Sequence, residues 1–229
     1  MTAKKRIVFV VNPISGTQGK KAILKWIDER IDRALFDYSI VKTQYAGHAV
    51  EIAAAAAKDN VDIVVAIGGD GTIMHAARAA APYGKPVLGI NKGHKGFLAD
   101  LDETNLGLFE RVISGDFEID SRMMLDVSIQ RGGKTIFGDF AINDAVMSGL
   151  SRMVSVSVYA NGIKIAKFSG DGVIIASPTG STAYSMSAGG PIIDPRVDCL
   201  LMTPVCPHSL YVRSYIFSAG ARLSVRPLL

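Results

Sequence analysis

The chain has 229 residues, 48% of them hydrophobic and 20% charged, with a net charge of +4. This length suits one large domain or two modest ones with a real core. The charge suits an anionic small ligand but is too small to indicate nucleic acid, which we exclude as a partner.

The first apolar run, Ile7 to Val11, is too short for a signal peptide or a membrane span, so we expect a strand here and no membrane partner. Two cysteines, Cys199 and Cys206, are too few for a disulfide framework. We therefore expect a reducing, cytoplasmic setting.

Strand-like and helix-like segments alternate through the first part of the chain. Apolar runs predict strands at residues 6–11, 38–44, 61–69 and 86–91. Apolar residues at helical spacing, or alanine-rich segments, predict helices at residues 19–35, 48–60, 73–84 and 104–116. This alternation predicts an open parallel sheet with helices on both faces.

Beyond about residue 120 the pattern changes to strand-like runs broken by Gly and Asn, at 118–130, 134–148, 153–178 and 199–205. Asn161-Gly162 predicts a two-residue hairpin turn of type I′. The fold class is therefore α/β, with an N-terminal α/β nucleotide-binding domain at 1–118 and a C-terminal antiparallel β-sandwich domain at 119–229.

The segment Gly68-Gly69-Asp70-Gly71-Thr72 follows the third predicted strand. Ligands of open α/β sheets bind beyond the carboxyl ends of the strands, and glycines let a phosphate approach the backbone amides. A carboxylate repels phosphate, so Asp70 makes more sense as a general base or as a metal-linked group beside phosphates. The alternative is that Asp70 only caps the next helix.

Two further segments carry polar groups. Residues 170–195 combine glycines with a dense set of hydroxyls that can bind a sugar, an amide or a phosphate, or can form a solvated loop with N-cap serines. Asn143 and Asp144 interrupt an apolar run. There the pattern favours a turn between two strands over a binding site, although buried polar residues need partners or a ligand.

Together these segments resemble the NAD kinase family. The matching residues are "GGDGT" at 68–72, "LGINKGHKGFLADL" at 88–101, "IND" at 142–144, "GDGVIIASPTGSTAYSMSAGGPIIDP" at 170–195 and "TPVCPHSL" at 203–210. The block at 170–195 is very specific, whereas lipid kinases and phosphofructokinases share "GGDGT". The resemblance runs from about residue 68 to the end and implies phosphorylation of the adenosine 2′-hydroxyl of NAD by ATP.

The same resemblance implies roles for individual residues. Asp70 would be the general base, with Gly68, Gly69 and Thr72 around the ATP phosphates. Asn12, Ser15 and Gly16 are placed at the phosphates by a second resemblance, to lipid kinases. The NAD-binding residues would be Gly71, Phe97, Asn143, Asp144, Asp171, Thr179, Thr182, Ala183, Tyr184 and Ser187. Asp171 would reach the nicotinamide end, often across a subunit contact, and Asp144 stands where the family usually has Glu. Mg²⁺ would arrive with ATP, no dedicated metal site is expected, and the family forms homodimers or homotetramers.

Residues 6–72, with "VNPISGTQGKKAI" and "TQYAGHAVEIA", instead resemble bacterial lipid kinases of the diacylglycerol kinase type. In that family "NPISG" opens a phosphate-facing turn, but the lipid-kinase pattern stops after Thr72. The chain also ends at "ARLSVRPLL", before the further strands usual in NAD kinases. These departures suggest a hybrid, with a divergent natural NAD kinase as the alternative origin. NAD phosphorylation is the leading function. The alternatives are a lipid kinase, a protein that binds NAD or adenine ligands without turnover, and a fold with neither binding nor catalysis.

Overall fold

The structure is a computed structural model that describes residues 4–14, 20–91, 101–102, 105–149 and 153–228. The chain divides into two compact units, residues 1–119 and 120–229. No helix in the described ranges is long and apolar enough to cross a membrane.

The first unit is the predicted parallel α/β domain. Its elements are β1 (Lys5–Val11), α1 (Lys20–Arg30), β2 (Phe36–Lys42), α2 (His48–Lys58), β3 (Ile63–Gly68), α3 (Asp70–Ala80), β4 (Val87–Asn91) and α4 (Phe109–Ser114). The four strands pair in parallel in the order β2-β1-β3-β4, with Val11 opposite Ile67.

Apolar clusters cover both faces of this sheet, as expected for a buried parallel sheet. On one face Phe9 and Ile67 pack with Ile23, Ile27 and Phe109 from α1 and α4. On the other face β1 and β3 pack against the alanine-rich α2 and α3. Each strand alternates its side chains between the two clusters, which fixes the register of the sheet.

Helix α1 is shorter than the predicted span of 19–35 and ends at Arg30. The Oδ1 atom of Asp32 accepts a hydrogen bond of 2.7 Å from the Ala34 backbone N–H, and the Asp32 carbonyl accepts from Leu35 and Phe36. Aspartate side chains compete with helical hydrogen bonds in this way, so the chain turns directly into β2.

The second unit is built from antiparallel sheets. Its elements are β5 (Leu125–Arg131), β6 (Lys134–Ala141), β7 (Asp144–Ser148), β8 (Val154–Ala160), β9 (Ile163–Gly170), β10 (Gly172–Ala176), α5 (Tyr184–Ser187), β11 (Cys199–Val205), β12 (Tyr215–Ser218) and β13 (Leu223–Pro227). The sheets have the orders β12-β11-β10-β7, β13-β8-β9 and β5-β6.

The two larger sheets share a core in which Val156, Val158 and Phe168 meet Val173 and Met202. This face-to-face packing is that of a sandwich. On the other face of β10, Ile174 and Ala176 pack with Ile193 and Leu201, so β10 is covered on both sides.

The hairpin between β8 and β9 confirms the predicted turn, because Asn161 and Gly162 both have positive φ, 50° and 83°. The run at 134–148 is two strands, β6 and β7, separated by the turn that the pattern at Asn143 and Asp144 predicts. Strand β6 pairs with β5, whereas β7 pairs with β10, and the chain passes between the two sheets at Ile142 and Asn143.

Candidate functional site

The carboxyl ends of β1 and β3 form the point at which the strand order of the first sheet reverses. The chain passes from β1 outward to β2 and then returns to the other side of β1 at β3. Ligands of open α/β sheets bind at such a topological switch point. Asn12 follows β1 here, and Gly69 and Asp70 follow β3.

Hydrogen bonds join the two sides of the switch point. The Asn12 backbone N–H donates to the Ile67 carbonyl at 3.0 Å, and the Asn12 side-chain Nδ2 donates to Thr72 Oγ1 at 3.1 Å. Thr72 is buried in the first turn of α3. Asn12 and Thr72 therefore fix the position of the glycine-flanked turn relative to β1.

Asp70 is the first residue of α3 and not its cap. The N-cap is Gly69, and no side chain forms a capping hydrogen bond there. The Oδ1 atom of Asp70 is buried, and no residue in the described part of the chain is hydrogen-bonded to it. A buried carboxylate oxygen left in this state is costly to the fold, and a catalytic role is one recognised reason for such a group. The capping alternative is wrong, because the N-cap of α3 is Gly69.

A cleft of about 340 Å³ opens beside this turn, which is within the size range of small-molecule sites. It is lined by Asn12, Thr43, Tyr45, Ala46, Gly47, Ala49, Gly69, Gly71, Thr72 and His75. A Cβ atom added to Gly47, Gly69 or Gly71 would meet nothing within 4 Å. These glycines leave space that side chains would otherwise fill, so a ligand can approach the backbone.

Two helices begin at this cleft, and their positive N-terminal ends favour an anion there. Helix α2 has Gly47 as its N-cap, with a φ of 88°, and α3 has Gly69. Because both N-caps are glycines, no cap side chain accepts a hydrogen bond from the first-turn N–H groups of either helix.

The cleft contains part of the predicted phosphate-binding set. Asn12, Gly69 and Thr72 line it together with Gly71, which was predicted for NAD. Gly68 is buried at the end of β3, and Asp70 does not line the cleft although both its neighbours do. The predicted residues Ser15, Gly16 and Phe97 lie outside the described residues.

Residue-by-residue assignment missed six residues of the cleft, namely Thr43, Tyr45, Ala46, Gly47, Ala49 and His75. The first five belong to "TQYAGHA", which directly follows β2, and that position at the same sheet edge is the signal for them. His75 lies four residues after Gly71, one helical turn further along α3.

In the second unit, Asn143 and Asp144 lie where the chain passes from β6 to β7, so the predicted turn is confirmed. Ser177 holds this turn: its backbone N–H donates to the Asn143 carbonyl at 2.8 Å, and its hydroxyl donates to the Ile142 carbonyl. The Gly180 N–H in turn donates to Ser177 Oγ at 3.1 Å. A Cβ atom on Gly180 would lie 2.0 Å from the Asn143 carbonyl oxygen, so only glycine fits here.

The hydroxyls of residues 177–187 fall into two groups. Ser177, Ser181 and Ser185 are fully buried, and each uses its hydroxyl within the fold. For example, Ser185 Oγ lies 2.7 Å from Thr203 Oγ1. These serines recur every fourth residue and anchor the segment, whereas Thr182 and the exposed Tyr184 and Ser187 keep accessible surface.

Asp144 is coupled to this segment through α5. Partial burial raises the pKa of the Asp144 carboxyl, and a hydrogen bond from the Tyr184 backbone opposes that rise. The structure therefore brings Asn143 and Asp144 together with the segment 179–184, as the prediction requires.

Sequence reasoning also missed Arg122. Its Nη1 lies 3.5 Å from Thr179 Oγ1, and its Nε lies 2.6 Å from Asp120 Oδ2. Arg122 thus places a cation beside a predicted ligand residue. The local sequence around Arg122 does not indicate this contact with Thr179, because the two residues are 57 apart in sequence.

Asp171 lies apart from the other predicted NAD residues of this unit. It precedes β10, whereas Ser177 and the segment beyond it follow that strand. The five residues of β10 lie between the two positions, which are therefore roughly 20 Å apart along the strand. The Asp171 carboxylate instead accepts a hydrogen bond from the exposed Cys206, which raises the pKa of that thiol.

Among the residues that the structure describes, no group of three or more His, Cys, Asp or Glu side chains could hold a metal ion.

Two protein-family models match this chain, one toward each end. Residues 144–228 match the ATP-NAD kinase C-terminal domain, and residues 6–91 match the diacylglycerol kinase catalytic domain. The two resemblances predicted from the sequence are thus confirmed.

Curated relatives are NAD kinases. The one from Symbiobacterium thermophilum is 46% identical over 169 residues, which are 72% of this chain and 60% of the relative. The one from Caldanaerobacter subterraneus is 37% identical, and the alignment covers 91% of this chain and 74% of the relative. The one from Desulforamulus reducens is 38% identical, and the alignment covers 97% of this chain and 78% of the relative. The chain thus spans about three fifths of the length of the first relative and three quarters of the others.

Solved structures show the same fold. A yeast NADH kinase complexed with NADH superposes with a TM-score of 0.80 at 24% identity, covering 99% of this chain and 73% of that one. An NAD kinase from Archaeoglobus fulgidus in complex with ATP superposes with a TM-score of 0.73 at 25% identity, covering 96% of this chain and 80% of that one.

The fold is that of the solved NADH kinase and NAD kinase structures. The chain belongs to the NAD kinase family. The alignment to the Desulforamulus relative extends over 97% of the chain, which favours a divergent member of one family over a hybrid joined at residue 72.

Proposed function

We propose that this protein phosphorylates the adenosine 2′-hydroxyl of NAD with ATP, giving NADP. The observation that carries the proposal is the buried Asp70 Oδ1, which no described residue satisfies, in the first turn of α3 beside a cleft walled by glycine backbone. The family relationship supplies the substrates, because the relatives are NAD kinases and one structural neighbour was solved with ATP.

In the reaction, Asp70 accepts the proton of the 2′-hydroxyl while the 2′-oxygen attacks the γ-phosphorus of ATP. The bond from the γ-phosphorus to the β,γ-bridging oxygen breaks, ADP leaves with that electron pair, and the products are NADP, ADP and a proton. Phosphoryl transfer depends on positioning and charge stabilisation more than on covalent chemistry, so one well-placed base is sufficient.

The cleft of the first unit is the proposed site of the ATP phosphates. The backbone at Gly69 and Gly71 is open to a ligand, and the N-termini of α2 and α3 have no side-chain cap. Both features favour anionic oxygens there. Asp70 does not line this cleft, which keeps its charge off the donor phosphates and leaves it for the acceptor hydroxyl.

Mg²⁺ is proposed to arrive bound to the ATP phosphates, where it neutralises their charge. Mg²⁺ is commonly held by substrate phosphates, waters and one or two carboxylates rather than by a protein cage. Asp70 does not line the phosphate cleft, so its carboxylate is reserved for the acceptor hydroxyl and is not assigned to Mg²⁺.

The second unit is proposed to hold the adenosine part of NAD. Asn143, Asp144 and Tyr184 come from two elements that Ser177 locks together. Thr179, Thr182, Ala183 and Ser187 complete the proposed contacts of this unit. Since Asp171 is at the far end of β10, it is proposed to contact the nicotinamide end of NAD bound to another copy of the chain.

We propose a homodimer or homotetramer in the cytoplasm. Two-stranded sheets are marginally stable alone, yet in the β5-β6 hairpin Ile129 and Phe137 lie opposite each other and are about half exposed. A second copy of the chain would cover them. Both cysteines are free thiols, which suits a reducing compartment.

A lipid kinase is the second candidate, because residues 6–91 match the diacylglycerol kinase catalytic domain. The two candidates share the ATP cleft and differ in the acceptor hydroxyl.

The test is a coupled assay for NADP formation from NAD, ATP and Mg²⁺, run beside an assay with ATP and diacylglycerol in detergent micelles. The proposal expects NADP without any requirement for detergent. Phosphorylated lipid without NADP would establish the second candidate. Thermal stabilisation by NAD with no product would show an NAD-binding protein without turnover.

A further inference from the structure

Tyr45 is an exposed aromatic residue at the edge of the cleft in the first unit. It lies in the turn between β2 and α2, lines the cleft, and keeps 53% of its surface exposed. An exposed tyrosine on a turn is ordinary, so its surroundings decide whether it has a role.

The surroundings hold the Tyr45 ring in one position. The His48 ring stacks on one face, with the centroids 4.4 Å apart and the planes 3° apart. The Tyr45 hydroxyl donates to Glu51 Oε2 at 2.7 Å, and Gln44 N–H donates to His48 Nδ1 at 3.1 Å, which fixes the imidazole behind the ring. The tyrosine therefore presents its second face with little loss of side-chain entropy on binding.

The part of the cleft beside the Tyr45 ring suits a flat, uncharged group, whereas the helix N-termini at Gly47 and Gly69 favour the anionic part of the same ligand. Its lining residues are Gly, Ala, Thr, Asn, Tyr and His, so no acidic residue, Lys or Arg lines it within the described chain. Every nucleobase has a π-face that stacks on an aromatic ring. A preformed ring of this kind is a platform for a base.

The position of the ring relative to the phosphate turn fits a nucleotide. Tyr45 follows β2 and Gly69 follows β3, with β1 between them, so their strands are separated by two strand spacings, roughly 10 Å. A nucleotide with its phosphates over Gly69 and Gly71 would extend its base toward the β2 side.

We infer that Tyr45, held from behind by His48, is the stacking platform for the purine base of the phosphate donor. This inference rests on the proposed function, since it assigns a residue to the base of ATP. Tyr45 is then a binding residue that lets the protein distinguish a nucleoside triphosphate from inorganic polyphosphate.

The experiment measures the binding of two donors to the full chain in the presence of Mg²⁺ by titration calorimetry. The donors are ATP and inorganic tripolyphosphate, which has no base. The variants are Tyr45→Ala, Tyr45→Phe, which keeps the ring, and Tyr83→Ala, a matched control at another half-exposed tyrosine of the same unit. Thermal unfolding of each variant checks that it is folded.

Loss of a stacked base is expected to weaken ATP binding by about 5- to 100-fold in Tyr45→Ala. Tyr45→Phe should remain within about threefold of the parent chain, and tripolyphosphate should bind all variants alike. Unchanged ATP affinity in Tyr45→Ala, or an equal loss for tripolyphosphate, would overturn the inference and leave the proposed function intact. A parent chain that binds no ATP would overturn both.

Discussion

The Asn12 side chain donates a hydrogen bond of 3.1 Å to the Thr72 hydroxyl across the point where the strand order reverses. The two residues are 60 positions apart in sequence, and the bond ties the end of β1 to the first turn of α3. The position of the turn that contains Asp70 therefore depends on a contact between elements, not only on the local sequence "GGDGT".

Replacing Asn12 tests this link. Asn12→Ala should lower the free energy of unfolding by about 1 kcal/mol through the lost hydrogen bond, and it should raise the KM for ATP. Asn12→Asp keeps the shape but replaces the Nδ2 donor with a negative charge at the cleft, so its KM for ATP should rise further. Urea unfolding and initial rates measure both effects, and an Asn12→Asp variant with the parent KM would contradict them.

Gly180 provides a test of the second unit. A Cβ atom there would lie 2.0 Å from the Asn143 carbonyl oxygen, so Gly180→Ala should push the Asn143 turn aside. We expect a stability loss of about 1–3 kcal/mol and weaker NAD binding. Gly220→Ala, where a Cβ atom would meet nothing within 4 Å, is the control. Equal NAD affinity and stability in the two variants would show that the contact is not needed.

The half-buried carboxyl of Asp144 gives stability a pH dependence. Because burial raises its pKa in the folded protein, Asp144 stabilises the fold most below its ordinary value of 3.8, and this contribution is lost as the pH rises through the raised pKa. Asp144→Asn does not titrate, so its stability relative to the parent should increase between about pH 3.5 and pH 7. Urea unfolding at the two pH values measures the difference, and a constant difference would contradict the prediction.

Asp171 should control the reactivity of Cys206. Its carboxylate raises the pKa of the exposed Cys206 thiol by hydrogen bonding and charge, so less thiolate is present at a given pH. Asp171→Asn should lower that pKa and speed alkylation by iodoacetamide at pH 8. Mass spectrometry follows Cys206, with the buried Cys199 as the internal control. Alkylation at the parent rate would place the Asp171 carboxylate away from the thiol in solution.

The parts of the fold that follow from local pattern could be predicted. Continuous apolar runs predicted the parallel sheet of the first unit, and Asn161-Gly162 predicted the hairpin between β8 and β9 of the second unit. Each of these signals is complete within a few residues. The end of α1 was predicted five residues late. The apolar spacing continues to Leu35, while the Asp32 side chain bonds to the backbone and ends the helical pattern.

The candidate site was less accessible to sequence reasoning because its geometry is set by long-range pairing. Nothing local divides the hydroxyls of 177–187 into buried anchors such as Ser185 and accessible groups such as Ser187. The burial of Ser185, for example, depends on its hydrogen bond with Thr203 of β11. Likewise, the contact of Arg122 with Thr179 and the place of Tyr45 in the cleft appear only after the strands are ordered.

The central claim is that Asp70 is the base for the 2′-hydroxyl of NAD, and the most direct test compares Asp70→Asn with the parent chain. One assay follows NADP formation from NAD, ATP and Mg²⁺, and calorimetry follows NAD binding. The account predicts a fall in kcat of about 10²- to 10⁴-fold with NAD affinity nearly unchanged. An Asp70→Asn variant that keeps its turnover while losing NAD binding would contradict it.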